Sequence, residues 1–297
     1  MNEPSAVSIR AADGVVLGGR VYAAATPARF DVLMLPGIGV PQRAFRHLAS
    51  WLARHGARVV TVDYRGMGDS RTGSEAVATA SLHAWGALDG SAALRFAEAT
   101  GNGAPIVLLA HSFGGQALGL SSEYRRLAGA ILVGSQFGQP RHWDGLARWK
   151  IASYWHVILP LSAALFDVVP GWTGIGEALP RGVAREWARW GRTSDWLLSH
   201  VDGARARYAA FDRPLRAYAL LDDDIAPPRA VSALLACFEG TRVERVDLAP
   251  ADLGLRRIGH LGLFRPGAAE RVWREFLDVA ARFASGASGY GSQAPSV

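Results

Sequence analysis

The chain has 297 residues, of which 49% are hydrophobic and 20% charged, with a net charge of +6 and one cysteine, Cys237. This composition is typical of a globular protein large enough for a substantial core, and it excludes an intrinsically disordered chain. A lone cysteine excludes an intrachain disulfide bond and fits a reducing compartment. We therefore expect a cytoplasmic protein, and no signal peptide is visible at the N-terminus.

The positive charge does not indicate a nucleic-acid-binding protein. The basic residues are arginines except for Lys150, and they are spread along the whole chain without a dense basic stripe. The most apolar stretch, residues 157–169, contains proline and polar residues and is shorter than the roughly 20 residues that a membrane span needs. Neither nucleic acid nor a membrane is therefore an expected partner, and a homo-oligomer is left open.

The first half of the chain alternates apolar, β-branched runs with amphipathic helical stretches. Repeated strand–helix–strand units predict a parallel sheet that is covered by helices on both faces. The first strand follows an Asp-Gly turn and is expected to be antiparallel. The predicted strands are residues 15–21, 31–35, 59–62, 106–109 and 129–133, and the predicted helices are residues 45–52, 85–99 and 114–120.

The pattern resumes in the second half, with strands at 215–221 and 243–248 and helices at about 229–238 and 272–283. Between the halves, at about 136–206, lie seven of the ten tryptophans and no strand signature. A segment of this length needs its own helices. We interpret it as an inserted helical cap. The alternative is a set of helices packed on the sheet edge, with the tryptophans as ordinary core.

This organisation predicts one core, residues 1–135 and 207–285, interrupted by the cap at 136–206 and followed by a disordered tail at 286–297.

The most informative segment is the run Ile106-Val-Leu-Leu-Ala-His111-Ser112-Phe113-Gly114-Gly115. A buried strand leads into Ser112, which has a small residue two positions before it and another two positions after it, and a helix follows. A serine on so tight a turn is held at a strained backbone angle, with its Oγ projecting from the C-terminal end of the sheet. The helix N-terminus also directs backbone N–H groups at the site.

This run resembles the G-x-S-x-G nucleophile elbow of the α/β-hydrolase superfamily, with Ala110 in the first position. The resemblance implies the α/β-hydrolase fold, a mostly parallel central sheet flanked by helices with an inserted helical cap. It also implies a serine hydrolase with Ser112 as nucleophile. Further similarity is to a group of bacterial predicted α/β-hydrolases without a settled substrate, through the segments GVPQRAFRHLASWL, HSFGGQALGL, EWARW and APADLGLRRIGHLGLFR.

Two more segments match the superfamily in chain order. The run Leu35-Pro36-Gly37-Ile38-Gly39 stands where these enzymes usually have His-Gly, which implies that the backbone N–H groups of Ile38 and Phe113 form an oxyanion hole. Pro36 replaces the usual histidine. The run Asp63 to Ser70 resembles the D-x-R-G-x-G-x-S loop, whose role is mainly architectural.

A serine nucleophile needs a histidine base, and the histidine needs an acid that orients it. His260 lies in the loop before the last helix, where the superfamily places its histidine. The acid normally follows the strand at 215–221, which here leads into Asp222-Asp223-Asp224. The family pattern D-x-(I/V)-x-P selects Asp223, four residues before Pro227; Asp222 and Asp224 stay open as alternatives. The other position for the acid, after the strand that ends at 133, has no carboxylate.

Together these residues predict cleavage of an ester or related acyl bond of a small, largely apolar substrate through an acyl-enzyme. His142, Trp143 and Trp155 are candidate substrate-pocket residues of the cap. No metal or other cofactor is expected, because the sequence has no run with metal-ligand spacing. Three alternatives stay open: an acyltransferase, a lyase or C–C hydrolase on the same triad, and a non-catalytic ligand-binding protein of this fold.

Overall fold

The computed structural model describes residues 3–286 except 72, 175 and 268. Apart from residue 286, the predicted disordered tail lies outside these described residues. The strands are β1 (Ser5–Arg10), β2 (Val16–Tyr22), β3 (Asp31–Leu35), β4 (Arg58–Val62), β5 (Ile106–His111), β6 (Gly129–Val133), β7 (Val168–Val169), β8 (Leu179–Pro180), β9 (Leu215–Leu220) and β10 (Val243–Leu248). The helices are α1 (Arg46–Arg54), α2 (Ser74–Ala78), α3 (Leu82–Ala84), α4 (Ser91–Thr100), α5 (Phe113–Gln116), α6 (Gly145–Ser153), α7 (Leu159–Leu165), α8 (Arg181–Gly191), α9 (Ala204–Ala209), α10 (Pro228–Leu235) and α11 (Glu270–Ala284).

Within the described ranges, eight strands form one sheet in the order β1-β2-β4-β3-β5-β6-β9-β10. The β1–β2 and β2–β4 pairs are antiparallel, and every other pair is parallel. The central strands β3, β5 and β6 are buried along their whole length, as expected for parallel strands covered on both faces. The predicted mostly parallel, helix-flanked sheet is thus confirmed.

Alternate residues of each central strand face two separate hydrophobic layers. In β3, Leu33 and Leu35 face the layer that includes α4, while Val32 and Met34 face the layer that includes α1 and α11. Since all the parallel strands point the same way, their carboxyl ends meet at one edge of the sheet. The loops that follow β3, β5, β6 and β9 are therefore brought together there.

Residues 136–206, which we call the insertion, connect β6 to β9. Helices α6 and α7 are joined by a π-helical segment, Tyr154–Ile158, and α8 packs against α7. Buried residues of the insertion, including Trp155 and Trp196, belong to the same hydrophobic cluster as Leu118 and Phe137. The described part of the insertion is therefore packed continuously with the sheet layer beneath it.

Several boundaries differ from the sequence-based expectations. The insertion has a strand pair, β7 and β8, where no strand was expected; each is only two residues long, too short to show an alternating pattern. Strand β1 was also missed, because only Ile9 of its six residues is buried. The helix expected at 114–120 is α5 followed by a 3₁₀ turn at Ala117–Gly119. Among the described residues, no helix combines the length and apolar character needed to cross a membrane.

Candidate active site

Ser112 lies on a sharp turn between β5 and α5. Its backbone angles are φ 52° and ψ −115°, and Trp196 is the other described non-glycine residue with a positive φ. The Ser112 N–H donates to the Val133 carbonyl oxygen at 2.9 Å, which ties the turn to the end of β6. A Cβ on Gly114 would lie 2.3 Å from the Leu35 carbonyl oxygen, so the turn needs a glycine there. These features are those of a nucleophile elbow.

A histidine and an aspartate from separate loops meet at the same edge of the sheet. His260 Nδ1 lies 2.6 Å from Asp223 Oδ2, and Asp223 is 4% exposed. Because an ionised carboxylate can only accept, Nδ1 carries the proton of this hydrogen bond. Asp223 Oδ1 accepts the backbone N–H groups of Ile225 and Ala226 at 2.9 and 3.0 Å, which fixes the carboxylate plane.

The three consecutive aspartates occupy three different environments. Asp222 accepts the backbone N–H groups of Ile258 and Gly259 at 2.8 and 3.1 Å, so it holds the loop that carries His260. The side chain of Asp224 is 90% exposed and lies 3.6 Å from Arg257. Only Asp223 therefore contacts the His260 ring through its carboxylate.

His111, beside Ser112, also contacts the histidine loop. Its Nε2 lies 2.9 Å from the His260 carbonyl oxygen, and a carbonyl oxygen only accepts, so Nε2 carries the proton. The ring is fully buried and packs against Phe45 and Phe264. Burial, with a smaller contribution from nearby His260, holds the His111 pKa well below its ordinary value. His111 thus links β5, the strand that leads into Ser112, to the His260 backbone, and its lowered pKa favours the neutral ring.

Two glycines show how closely the loops of this region approach one another. A Cβ on Gly134, after β6, would lie 3.3 Å from Asp223 Oδ2 and 3.2 Å from His260 Cε1. A Cβ on Gly37, after β3, would lie 2.8 Å from Ser112 Cβ. Ser112 is tied to this place by its N–H bond to Val133, the residue before Gly134, so Ser112, the His260–Asp223 pair and the Gly37 loop lie at one end of the sheet. No hydrogen bond joins Ser112 Oγ to His260 in the described chain.

The two residues expected to form the oxyanion hole, Phe113 and Ile38, lie near Ser112, and their role stays a prediction. Phe113 is the first residue of α5, where a helix has no internal acceptor for the backbone N–H. Ile38 directly follows Gly37, whose backbone lies against Ser112. Within the described ranges, no hydrogen-bond acceptor engages the Ile38 N–H.

The loop after β4 supports this region without contacting Ser112. Asp63 accepts the Gln42 N–H at 2.7 Å and the Asp69 N–H at 2.8 Å, and burial raises its pKa. The Arg65 side chain is buried and bonds Asp89 at 2.8 Å. These contacts tie the loop to Gln42 and to Asp89, in the π-helical segment Trp85–Gly90, which is an architectural role.

The three candidate pocket residues of the insertion lie in different settings. Trp143 Nε1 donates to the Asp224 carbonyl oxygen at 2.9 Å, so its ring lies beside the loop that carries the candidate acid Asp223, hereafter the acid loop. His142 is half-buried and bonds Gln139 at 3.0 Å. Trp155 is 2% exposed and donates to the Gly138 carbonyl oxygen at 2.8 Å, within the packed interior. Contact of any of them with substrate stays a prediction.

Sequence reasoning missed two features of the site. Apart from the run of three aspartates, nothing in the sequence indicates that Asp222 holds the loop that carries His260. The buried side chain of Gln116, one turn after Ser112, bonds residues far away in sequence, so no local pattern marks it.

The fold and this geometry define an α/β-hydrolase, and comparison with known families agrees. The profile of the family described as serine aminopeptidase, S33, matches residues 26–177, just over half of the chain. The chain belongs to this family of α/β-hydrolase enzymes. A comparison with curated proteins finds no match to this sequence.

Solved structures with the same fold cover nearly the whole chain. DcsB, solved in complex with its substrate analogue, has a TM-score of 0.66 and 15% identity over 95% of this chain and 100% of that one. A lipase in its open form has a TM-score of 0.63 and 17% identity over 95% and 99%. An esterase from Thermogutta terrifontis has a TM-score of 0.59 and 18% identity over 95% and 100%. At these identities the likeness shows the fold.

Proposed function

We propose that this protein is a serine hydrolase that cleaves an ester or related acyl bond of a small, largely apolar substrate. The observation that carries the proposal is the 2.6 Å hydrogen bond between His260 and Asp223 beside the strained Ser112 turn. A histidine oriented by an aspartate, close to a serine on a strained turn, supports a nucleophilic triad of Ser112, His260 and Asp223.

In the first half-reaction, Ser112 Oγ attacks the acyl carbonyl carbon while His260 Nε2 takes the hydroxyl proton. The carbonyl oxygen becomes an oxyanion that accepts hydrogen bonds from the backbone N–H groups of Ile38 and Phe113. As the tetrahedral intermediate collapses, His260 gives its proton to the leaving group. Asp223 holds the imidazole orientation and stabilises its positive form.

In the second half-reaction, His260 takes a proton from water, and the resulting hydroxyl attacks the acyl-enzyme carbonyl. The bond to Ser112 Oγ then breaks, the proton returns to Oγ, and the acid product leaves. The insertion, residues 136–206, would act as a cap over this edge of the sheet. Its aromatic side chains, with Trp143 beside the acid loop, favour an apolar acyl or leaving group.

A substrate panel tests this proposal and its alternatives. We expect wild-type protein to hydrolyse p-nitrophenyl esters, and the Ser112→Ala variant to lose that turnover. Equal rates for both proteins on every ester and thioester would exclude Ser112 catalysis and favour a ligand-binding protein. Because the family is described as serine aminopeptidase, the panel includes amino-acid p-nitroanilides; cleavage of anilides without esters would replace the proposed bond type.

A further inference from the structure

A buried polar cluster lies where the insertion meets the candidate catalytic loops. Its members, hereafter the Gln116 cluster, are the side chains of Gln116, Gln136 and Trp196, each at most 5% exposed. Gln116 lies in α5, one turn after Ser112, while Gln136 begins the insertion and Trp196 lies near its end. Polar groups this deeply buried are costly unless they are hydrogen-bonded.

Both ends of the Gln116 amide are satisfied within the cluster. Trp196 Nε1, which can only donate, bonds Gln116 Oε1 at 2.9 Å. Gln116 Nε2 in turn donates to the Gln136 carbonyl oxygen at 2.7 Å and to Gln136 Oε1 at 3.1 Å. The hydroxyl of Tyr208 donates to the Gln116 carbonyl oxygen at 2.5 Å. The bonds from Trp196 and to Gln136 determine the orientation of the side-chain amide, and the Tyr208 bond holds the Gln116 backbone.

The cluster continues to the loop that carries the proposed acid. Gln136 Nε2 donates to the Ile225 carbonyl oxygen at 3.4 Å. The N–H of that same residue, Ile225, donates to Asp223 Oδ1 at 2.9 Å. A continuous path of hydrogen bonds and one residue's backbone therefore connects Trp196, in the insertion, with the carboxylate that faces His260.

The backbone of Trp196 is held at an unfavourable angle. Its φ is 54°, which costs free energy for a bulky residue and persists only where the surroundings require it. The indole ring leaves no room for a side chain at residue 138, since a Cβ on Gly138 would lie 2.5 Å from Trp196 Cη2. Packing and hydrogen bonding together thus fix the indole beside Gln116.

We propose that Gln116 and Gln136 are positioning residues that hold the acid loop, and with it the Asp223–His260 hydrogen bond, in a place set by the insertion. They act through Ile225 and Asp223. This inference rests on the proposed function, in which Asp223 orients His260. Without the two amides, the Ile225 carbonyl loses its donor and the acid loop is free to shift.

Three matched glutamine variants test the proposal. Gln116→Met and Gln136→Met keep most of the side-chain volume and remove the hydrogen bonds of the cluster. Gln139→Met is the control, because Gln139 is equally buried but its Nε2 donates to the Ser194 carbonyl oxygen inside the insertion, at 2.8 Å. All three are expected to lose stability, so stability alone does not separate them.

The decisive readout is the far-downfield proton NMR signal of His260 Nδ1–H, assigned by its loss in His260→Gln. In Gln116→Met and Gln136→Met we expect this signal to shift or broaden, and kcat on the best ester to fall about tenfold to a hundredfold with KM little changed. In Gln139→Met the signal should keep its wild-type position. If Gln116→Met does not fold, Trp196→Phe removes the single N–H that bonds Gln116 and is expected to shift the signal.

A wild-type signal in Gln116→Met and Gln136→Met, or an equal change in Gln139→Met, would overturn the proposal. The signal does not require turnover. If the wild-type protein shows the signal but cleaves no acyl substrate, the proposed function is contradicted, whereas the positioning of Asp223 by the cluster is still supported. If the protein cleaves esters but the His260 signal is unchanged in Gln116→Met and Gln136→Met, only the positioning proposal is contradicted.

Discussion

Asp222, Asp223 and Asp224 show how neighbouring residues of one type acquire different roles. The spacing to Pro227 predicts Asp223 as the acid, and the Asp223 carboxylate indeed contacts the His260 ring. The sequence could not assign Asp222, because its partners are the N–H groups of Ile258 and Gly259, more than thirty residues further along the chain. A loop contact of this kind leaves no local pattern.

Asparagine variants distinguish the role of Asp223 from that of Asp224. Asp223→Asn should lower kcat on an ester by about 10⁴-fold, because the amide no longer holds His260 in the required tautomer. Asp224→Asn, at an exposed position, should leave kcat near wild type. Steady-state kinetics on both variants checks this. A large loss in Asp224→Asn with little loss in Asp223→Asn would show that the acid is misassigned.

His111 gives a prediction about pH and stability. Its folded-state pKa lies below the ordinary value near 6.5, so as pH falls through 6.5 the unfolded chain takes up a proton and the folded chain does not. The stabilisation present above pH 6.5 is therefore lost below it, by up to about 1.4 kcal/mol per pH unit.

Urea unfolding at several pH values measures this effect. His111→Gln can still donate to the His260 carbonyl oxygen but cannot titrate, so its free energy of unfolding should fall less than that of wild type between pH 6.5 and 5.5. His47→Gln, at an exposed histidine, is the control. Equal pH dependence in wild type and His111→Gln would contradict the assignment of a neutral buried imidazole.

At the scale of elements, the insertion contacts the loop that follows β3. The Glu177 N–H donates to the Gly39 carbonyl oxygen at 2.9 Å. The parallel sheet was predictable, because its strands are uninterrupted apolar runs between amphipathic helices. The strand pair β7–β8 and the contact between Glu177 and Gly39 were not, since both depend on tertiary packing of short segments.

A pair of glycine variants tests this contact. A Cβ on Gly176 would lie 2.4 Å from the Gly39 carbonyl oxygen, and therefore Gly176→Ala should displace the Ile38 backbone and lower kcat about tenfold or more. Gly174 has a similar φ, +94° against +86°, but no atom within 4 Å of its Cβ position. Gly174→Ala should thus cost stability and leave kcat largely intact. Equal kinetics for both variants would contradict a role for this contact.

At the scale of the whole molecule, the described insertion and the sheet share one hydrophobic cluster. Tryptophans of the insertion pack in the same cluster as Leu118, in the 3₁₀ turn after α5, and Phe137, near the start of the insertion. The sequence indicated an aromatic insertion through the clustering of tryptophans. It could not show that Trp155 and Trp196 are buried while Trp149 and Trp172 are exposed, because that depends on how α6 to α8 fold together.

Shared packing predicts cooperative unfolding. Seven of the ten tryptophans lie in the insertion, so tryptophan fluorescence mainly reports on it, while far-UV circular dichroism reports on the whole chain. In urea, the two transitions should coincide, as for a two-state protein. A fluorescence transition at clearly lower urea would show that the insertion unfolds separately.

The central claim is that Ser112 is an activated nucleophile. The most direct measurement is intact-mass spectrometry after reaction with a fluorophosphonate, followed by peptide mapping. The account predicts one adduct per chain, on Ser112, that is absent in Ser112→Ala and forms orders of magnitude more slowly in Asp223→Asn. No adduct on the wild-type protein, or an adduct on another residue, would contradict it.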